Sequence, residues 1–293
     1  RPTIMTAVPR LYETLHQRIT SGVRKAGGAK EKLFNKAVEL GTRRYQDPGG
    51  LDLGERIADK ALDLLVRKKV KQRFGGRLKA LVSGGAPLNP EIGLFFTALG
   101  LRILQGYGQT ESGPVASVNR PSDVQMDTVG PPMKGVEVKI AEDGEILCRG
   151  ELVMHGYWQN QGETDRALKD GWLHTGDSGV ITEQGFIRYL GRRKEMLKVN
   201  GMSVFPSELE AMLGQHPDIL ASAVIGKPDP QRGQTPLAFI ITKPGSHASA
   251  ESLRDWCKQA MAIYKVPEIR LVDTLPMTAT GKVKKQELQD WIN

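Results

Sequence analysis

The sequence predicts an α/β protein, on three observations taken along the chain. Between residues 78 and 104, short apolar runs alternate with a helical segment, which is the pattern of a parallel sheet. From about 121 to 190, short alternating runs are separated by turn residues, which favours a small antiparallel, barrel-like β unit. Helices and strands then mix over residues 194–293, so we expect a compact α+β domain at the end.

The first part of the chain is predicted to be helical. Between residues 9 and 74, apolar side chains recur at three- and four-residue steps, as in Leu11 and Leu15. This period indicates two or three amphipathic helices. We expect breaks at Gly27-Gly28 and at the Asp-Pro-Gly-Gly string 47–50.

The remaining elements follow from shorter patterns. In the α/β part we predict strands at 78–82 and 102–104 around a helix at 90–99. The β unit contributes strands at 136–140, 145–148, 152–154 and 186–189. The last domain reads as a strand after 195, a helix at 206–213, strands at 220–225 and 237–242, a helix at 250–263 and a helix from about 284.

Positive charge is concentrated near the start of the chain. The whole chain has 293 residues and a net charge of +8, but residues 1–80 hold 19 Lys and Arg against 8 Asp and Glu. Such a region suits an anionic membrane surface or a polyanionic ligand, or it is simply a solvated face. Nucleic acid is not expected, because no aromatic residue interleaves with the basic run 67–73.

Composition also limits the type of protein. The two cysteines, Cys148 and Cys257, show no metal-ligand spacing, which fits a reducing, cytoplasmic location. The sequence has no run of 18 apolar residues, so we expect no membrane-spanning helix.

Four short strings suited to ligand binding occur in a fixed order. In the first, two glycines allow close approach of the backbone to a ligand, and the ring of Tyr107 offers a flat face. Each string alone is also a plausible turn. The strings are 106–111 (GYGQTE), 174–177 (HTGD), 191–195 (GRRKE) and 277–282 (MTATGK).

Together and in this order, the strings resemble the core motifs of the AMP-forming adenylating enzymes. That family includes acyl-CoA synthetases, luciferases and peptide-synthetase adenylation domains. Residues 1–110 resemble the long-chain acyl-CoA synthetase branch through 8–13 (VPRLYE), 32–34 (KLF) and 82–88 (VSGGAPL). Family members also carry a phosphate loop ending in Pro-Lys-Gly, which this sequence lacks. Since it starts at Arg1, we expect the chain to be the C-terminal part of a longer protein.

The resemblance implies a division into two domains. Residues 1–193 would be the C-terminal portion of a large α/β adenylating domain, with the β unit at about 121–190. Residues 194–293 would be a mobile α+β domain, and Lys194 would be its hinge.

The resemblance also assigns a nucleotide site. Thr110 would contact phosphate, and Glu111 would bind Mg²⁺, a cation that prefers oxygen ligands. Asp177 would accept hydrogen bonds from both ribose hydroxyls, and Arg192 would approach ribose oxygens or phosphate. The other implied nucleotide-binding residues are Gly85, Ala86, Pro87, Gln105, Gly106, Tyr107 and Gly108.

Further residues are implied in catalysis and in binding CoA. Lys282, carried by a flexible loop at Gly281, would stabilise the charge that develops at the α-phosphate. Thr110, Glu111 and Lys198 complete the implied catalytic set. The implied CoA-binding residues are Lys198, Asn200 and Gly201.

The implied activity is that of a long-chain fatty acid–CoA ligase, with Mg²⁺ as cofactor. Fatty acid, ATP and CoA would give acyl-CoA, AMP and pyrophosphate, at a cytoplasmic site or on the inner face of a membrane. Two alternatives stay open: an acyl-AMP ligase that uses a carrier protein as acceptor, and a nucleotide-binding fragment without catalysis. Acyl chain length and oligomeric state are not fixed by the sequence.

Overall fold

A computed structural model describes residues 1–278 and 282–292. The predicted loop residue Gly281 lies outside them. The chain divides into two compact units. The first comprises Arg1–Ala141, Leu147–Thr175 and Val180–Tyr189, and the second comprises Glu142–Ile146, Gly176–Gly179 and Leu190–Asn293.

Helices α1 (Pro9–Ala26) and α2 (Gly28–Gln46) follow the predicted apolar spacing. Between them, Gly27 and Gly28 have φ values of 56° and 57°, which glycine adopts without strain. A third helical segment begins at a capping box between Asp52 and Glu55. It comprises α3 (Leu53–Leu62), a π-helical turn (Asp63–Arg67) and α4 (Lys68–Arg73). Both predicted breaks are therefore confirmed.

A four-stranded sheet forms the centre of the first unit. Strands β1 (Ile4–Ala7), β2 (Ala80–Ser83) and β3 (Ile103–Tyr107) pair in parallel, and β4 (Ser117–Val118) pairs antiparallel with β3. Helix α5 (Pro90–Ala98) connects β2 to β3. The predicted α/β alternation is confirmed, whereas the short edge strands β1 and β4 were not anticipated.

The helices pack closely in the first unit. A Cβ on Gly41 of α2 would lie 2.5 Å from the carbonyl oxygen of Ala98 in α5, so only glycine allows the two backbones to approach this closely. The Tyr12 hydroxyl donates a hydrogen bond to the carbonyl of Val82 at 2.8 Å. The largest buried apolar side chains of this core include Tyr12, Leu40, Leu81, Phe96, Leu99, Leu101 and Ile103.

A second sheet has five strands in the order β5-β6-β8-β7, with β9 beside β8. The predicted strand at 152–154 is wrong, because no strand forms there. One long strand, β8, was missed. The elements are β5 (Val136–Ile140), β6 (Glu145–Gly150), helix α6 (Gln161–Ala167), β7 (Leu168–Lys169), β8 (Trp172–Ile181) and β9 (Ile187–Arg192).

The last part of the chain mixes helices and strands, as the predicted fold class requires. Its sheet has the order β11-β10-β13-β12, with β14 beside β13. The predicted helix at 250–263 ends earlier, and β14 was missed. The elements are β10 (Leu197–Val199), β11 (Met202–Val204), α7 (Pro206–Leu213), β12 (Ile219–Asp229), β13 (Gly233–Thr242), α8 (Ala250–Ala260), β14 (Glu268–Leu271) and α9 (Lys285–Asp290).

The predicted fold class is confirmed: the protein is a mixed α/β protein with a five-stranded β unit and a compact α+β part. Within the described residues, no helix combines the length and apolar composition needed to cross a membrane.

Candidate functional site

The predicted site residues fall into two groups, one in each unit. The first group lies where the parallel strands end. Strands β1, β2 and β3 end at Ala7, Ser83 and Tyr107, and parallel strands present their carboxyl ends at one edge of a sheet. In open α/β sheets this edge is where ligands bind. The structure therefore brings the loop 84–87 and the string 106–111 to a suitable edge.

The loop 84–87 is built from small, accessible residues. Gly85, Ala86 and Pro87 are exposed, and Gly85 has a φ of 80°, which a side chain would strain. The hydroxyl of Ser83, just before the loop, is buried and has no hydrogen-bond partner among the described residues. Since buried polar groups are usually paired, this hydroxyl marks a polar position at the edge of the sheet.

The side chain of Gln105 makes its hydrogen bonds inside the protein. Its side chain is buried, donates to the carbonyl of Met126 at 2.5 Å and accepts from the amide of Leu88 at 3.3 Å. Both ends of the amide are thus used inside the protein. Gln105 supports the loop from behind and does not present a free amide to a ligand.

Gly106 and Tyr107 lie in strand β3 and not in a turn. The ring of Tyr107 is half-buried, with its centroid 5.8 Å from that of Tyr189. At Gly108, a Cβ would lie 2.1 Å from the carbonyl oxygen of Pro114. Glycine is therefore required there by packing, whatever its contact with a ligand.

Thr110 and Glu111 begin a short 3-10 turn (Thr110–Ser112), separated from the end of this strand by two residues. Thr110 is exposed. The Glu111 carboxylate accepts a hydrogen bond from the Tyr157 hydroxyl at 2.8 Å. The backbone carbonyl of Glu111 accepts one from the backbone amide of Met154 at 2.9 Å. Partial burial, together with the Glu111 carboxylate, raises the pKa of Tyr157, so Tyr157 stays a donor and holds the carboxylate in place.

Tyr157, which bonds to the Glu111 carboxylate, was not predicted from the sequence. It lies 46 positions from Glu111, and no spacing rule links the two.

The oxygen donors at this edge of the sheet fit Mg²⁺ in one respect. Among the described residues, no group of three or more His, Cys, Asp or Glu could hold a metal ion, and Mg²⁺ is commonly held by one or two carboxylates together with substrate phosphates. A single oriented carboxylate at Glu111 matches that mode.

The second group centres on Asp177 and Arg192. Asp177 lies in strand β8, is 2% exposed and forms an ion pair with Arg192, whose Nε lies 3.2 Å from Oδ1. A buried carboxylate requires such pairing. Because Arg192 is itself exposed, the pair presents a fork of donors next to a fixed carboxylate, which is suited to a diol or an anionic ligand.

Arg193, the next residue, is held by two acidic side chains. Its guanidinium donates to Glu145 at 2.8 Å and to Asp143 at 2.7 Å. The pKa of Asp143 is lowered by the backbone amide of Glu145 and by Arg193. Lys194 follows, exposed, in a 3-10 turn (Arg193–Glu195). The predicted hinge residue thus comes directly after a residue that is anchored.

Lys198 lies on strand β10, and Asn200 and Gly201 form the two-residue loop to β11. Both loop residues have positive φ, 51° and 77°, which is the hairpin geometry that Asn-Gly favours. The Lys198 ammonium donates to the Ser203 hydroxyl at 2.9 Å. Its backbone amide donates to the side chain of Gln234 at 2.8 Å, a contact that the sequence pattern does not indicate.

Lys282 is exposed. Its amide donates to the Thr278 hydroxyl at 3.0 Å, and its carbonyl accepts from the Thr278 amide at 2.7 Å. Met277 and Val283 form an antiparallel bridge. The backbone of Lys282 is thereby fixed while its side chain extends into solvent.

Comparison with known proteins assigns the family. Residues 1–158 match the family model described as AMP-binding enzyme, and residues 208–282 match the model described as AMP-binding enzyme C-terminal domain. The chain belongs to the AMP-binding enzyme family. The first match alone covers more than half of the chain.

Curated relatives of this AMP-binding enzyme share its sequence over most of its length. It is 37% identical over 233 residues to the long-chain-fatty-acid–CoA ligase FadD15 of Mycobacterium bovis, covering 78% of this chain and 38% of that protein. It is 36% identical over 241 residues to the long-chain-fatty-acid–CoA ligase of Escherichia coli O157:H7, covering 78% and 43%. The chain therefore spans less than half the length of these relatives.

Solved structures agree with this family. The anthranilate CoA ligase AuaEII, in complex with anthranoyl-AMP, matches with a TM-score of 0.70 and 29% identity over 100% of this chain and 50% of that chain. The amide bond synthetase McbA from Marinactinospora thermotolerans matches with a TM-score of 0.68 and 30% identity over 74% and 48%.

Proposed function

We propose that this AMP-binding enzyme is part of a long-chain fatty acid–CoA ligase, which joins fatty acid and CoA while converting ATP to AMP and pyrophosphate. The observation that carries the proposal is the edge of the parallel sheet, where Tyr107 ends one strand, Thr110 and Glu111 follow it, and the loop 84–87 follows the neighbouring strand. The substrate class rests on relatives that are named as ligases of this type.

The first half of the reaction is attack of the fatty acid carboxylate on the α-phosphate of ATP, which forms an acyl-adenylate and releases pyrophosphate. Positioning and electrostatic stabilisation supply most of the catalysis in such a step. Tyr107 stacks on adenine, and Gly85, Ala86 and Pro87 form a thin wall beside it. Asp177 accepts from the ribose hydroxyls, with Arg192 beside it.

Mg²⁺ is the cofactor proposed for this half-reaction. Glu111 would hold it, and its carboxylate is already oriented by Tyr157. The bound ion neutralises charge on the phosphates of ATP. Thr110 donates its hydroxyl to a phosphate oxygen, and the Lys282 ammonium stabilises the negative charge that develops at the α-phosphate.

In the second half, the CoA thiol attacks the acyl-adenylate. We propose that residues 194–293 move as a domain about Lys194 between the two halves, while residues 1–193 keep the adenylate bound. Arg193 is held by Asp143 and Glu145, so the residue directly before the proposed hinge is fixed in place. The hairpin that carries Lys198, Asn200 and Gly201 then faces CoA, and Gly201 leaves room for the pantetheine chain.

The proposal is tested on the full-length protein. Purified enzyme is mixed with ATP, Mg²⁺ and a panel of fatty acids, and pyrophosphate is measured with and without CoA. We expect pyrophosphate release that depends on a long-chain acid, and acyl-CoA only when CoA is present. Equal rates with and without a fatty acid would contradict the proposal.

Two other functions are distinguished in the same assay. An acyl-AMP ligase would release pyrophosphate and would accumulate acyl-adenylate even when CoA is present. It would transfer the acyl group only to a carrier protein. We keep this alternative because one similar solved structure is that of a protein named an amide bond synthetase. The 293-residue chain, assayed by itself, would be a nucleotide-binding fragment if it binds ATP but releases no pyrophosphate.

We also propose that the third helical segment meets an anionic membrane surface. Leu53, Ile57 and Leu64 are 76%, 64% and 66% exposed, and they recur at helical spacing. Exposed lysines lie along the same segment, including Lys60 and Lys68. Apolar contact combined with positive charge is what binds such helices to anionic lipid.

This contact is tested by sedimenting the full-length protein with vesicles. Vesicles of phosphatidylcholine with phosphatidylglycerol should bind it more than vesicles of phosphatidylcholine alone. Binding should weaken in high salt and in the variant Ile57→Gln. Equal binding to both vesicle types, or none to either, would contradict the proposal.

A further inference from the structure

A lysine close to Lys282 forms a half-buried cluster that the proposed reaction does not use. Lys285 begins helix α9, three residues after Lys282. Its ammonium lies 2.9 Å from a carboxylate oxygen of Glu195 and 3.0 Å from one of Glu210. All three side chains are only partly exposed, at 24%, 35% and 26%. Charge pairs with this much burial are screened less than surface pairs.

The two carboxylates belong to separate elements. Glu195 ends the 3-10 turn that contains Lys194, and Glu210 lies on helix α7. Glu210 also accepts a hydrogen bond from the backbone amide of Val224, on strand β12, at 2.8 Å. One ammonium therefore ties the start of α9 to the turn at the proposed hinge, to α7 and through Glu210 to the sheet.

The protonation of the cluster follows from this arrangement. Burial raises the pKa of Glu210, an effect that Lys285 and the Val224 amide offset in part. Burial disfavours the charged form of Lys285, but Glu210 and Glu195 outweigh it and raise the pKa of the lysine. Lys285 is thus held as a cation between two acidic side chains.

Helix α9 is also anchored further along. Leu288 is buried against apolar residues of strands β12 and β13, and the side-chain amide of Gln289 donates to the carbonyl of Gly226 at 3.1 Å. The rest of the helix therefore keeps its place without Lys285. What the lysine fixes is the first turn, where the chain enters the helix.

That first turn is the base of the loop that carries Lys282. The Lys284 amide donates to the carbonyl of Pro276 at 2.9 Å, which closes the loop immediately before Lys285. Three residues span at most about 10 Å. A displacement of the first turn is therefore passed to the backbone of Lys282 with little chain to absorb it.

We propose that Lys285 is a positioning residue for Lys282: held by Glu195 and Glu210, it fixes the base of the loop and so the place from which the Lys282 ammonium reaches the α-phosphate. This inference rests on the proposed function of Lys282. Removing the Lys285 ammonium leaves two carboxylates facing each other without a cation, and their repulsion loosens the contact between α9 and the hinge turn.

The test is a double-mutant cycle in the full-length enzyme. Lys285→Met should lower the rate of acyl-adenylate formation, measured as pyrophosphate release in a single turnover, by about 10-fold, which is less than the roughly 10²-fold that misplacing a catalytic group can cost. Lys285→Arg, which keeps a cation at the cluster, should restore most of the rate. Acyl-CoA formation from supplied acyl-adenylate should stay near the wild-type rate.

The decisive comparison is made on the Lys282→Ala background. If Lys285 acts through Lys282, the double variant should form acyl-adenylate at the rate of Lys282→Ala alone, because residues that act as a unit are not additive. A further 10-fold loss in the double variant, or no loss in Lys285→Met, would overturn the inference. If Lys282→Ala itself has no effect, the proposed function of Lys282 fails and the inference fails with it.

Two further variants keep the test interpretable. Lys284→Met removes a neighbouring lysine that forms an exposed pair with Glu287, and it should leave both half-reactions unchanged. If Lys285→Met does not fold, Glu210→Gln replaces it, because glutamine still accepts from the Val224 amide and Lys285 keeps Glu195. It should give a smaller loss of acyl-adenylate formation, absent on the Lys282→Ala background; a loss that persists there would overturn the inference.

Discussion

Arg67 offers the sharpest prediction about stability. Its side chain is 1% exposed and lies in the π-helical turn between α3 and α4. The guanidinium donates five hydrogen bonds: to the carbonyls of Ala37, Asp59 and Ala98, and to the carboxylates of Asp59 and Asp63. All five N–H donors of arginine are thus used, and they join α2, α3 and the end of α5.

The magnitude follows from what Arg67→Met leaves behind. Three carbonyls and the buried Asp59 carboxylate lose a donor together. Removing one partner of a buried ion pair costs about 3–5 kcal/mol, and each buried acceptor left unpaired costs about 1–3 kcal/mol. These costs overlap, so we expect the free energy of unfolding to fall by about 4 kcal/mol or more. Domains are stable by only about 5–15 kcal/mol, so the helical part should open readily.

Arg44→Met is the matched control. Arg44 pairs with the other oxygen of Asp59 at 2.6 Å but is 42% exposed, so its loss should cost about 1 kcal/mol or less. Both variants are measured in the full-length protein by urea unfolding and by hydrogen exchange at amides of α2, α3 and α5. Exchange in these helices should rise strongly in Arg67→Met and little in Arg44→Met. Equal stability of the two variants would refute the reasoning.

Three other predictions concern the proposed site and the buried cysteine. Asp177→Ala should weaken ATP binding and remove the preference for ATP over 2′-deoxy-ATP in competition binding, and an unchanged preference would exclude a ribose contact. Lys194→Pro, which fixes φ and removes a donor, should spare pyrophosphate release but slow acyl-CoA formation from supplied acyl-adenylate; wild-type rates in both would mean that the chain does not pivot there. Burial raises the pKa of Cys257 from 9.0 to about 11. The neutral thiol therefore contributes its full stability to the fold below pH 9, and that stability is lost as the pH rises toward 11. Mass spectrometry after treatment with a thiol reagent at pH 8 should find Cys257 unmodified until the protein is unfolded, and modification at the rate of the unfolded chain would contradict its burial.

Elements with a clear period or strong end signals were predictable from the sequence. Helix α5 starts at Pro90 after the cap Asn89, and α2 ends before the Asp-Pro-Gly-Gly string. Elements whose local sequence resembles another kind of structure, such as a strand that contains turn residues, were not predictable. Strand β8 passes through Gly176, whose φ is 70°, so the HTGD string looked like a turn although it lies within a strand.

Short alternation alone was an unreliable guide. Residues 152–154 have the composition of a strand, but Met154 instead bonds to the carbonyl of Glu111. Strand β14 is only four residues long and pairs in parallel with β13, a partner that local sequence does not reveal. The hairpin at Asn200-Gly201, in contrast, carries a strong local signal that could have been used.

The candidate site shows the same division. Motif strings predicted Tyr107, Glu111, Asp177 and Lys282 as site residues, because these residues stand at fixed places within short strings. The contacts around the strings join residues that are distant in sequence. Tyr157 orients Glu111, and Lys285 joins Glu195 to Glu210. Such contacts depend on the fold and have no spacing rule.

The most direct test of the central claim is the effect of Lys282→Ala on the two half-reactions of the full-length enzyme. Single-turnover pyrophosphate release measures the first, and acyl-CoA formation from supplied acyl-adenylate measures the second. The first should fall by about 10²-fold or more, since a charge placed at a transition state is typically worth about 3 kcal/mol or more, while the second should change little. An equal fall in both half-reactions, or no fall in the first, would contradict the account.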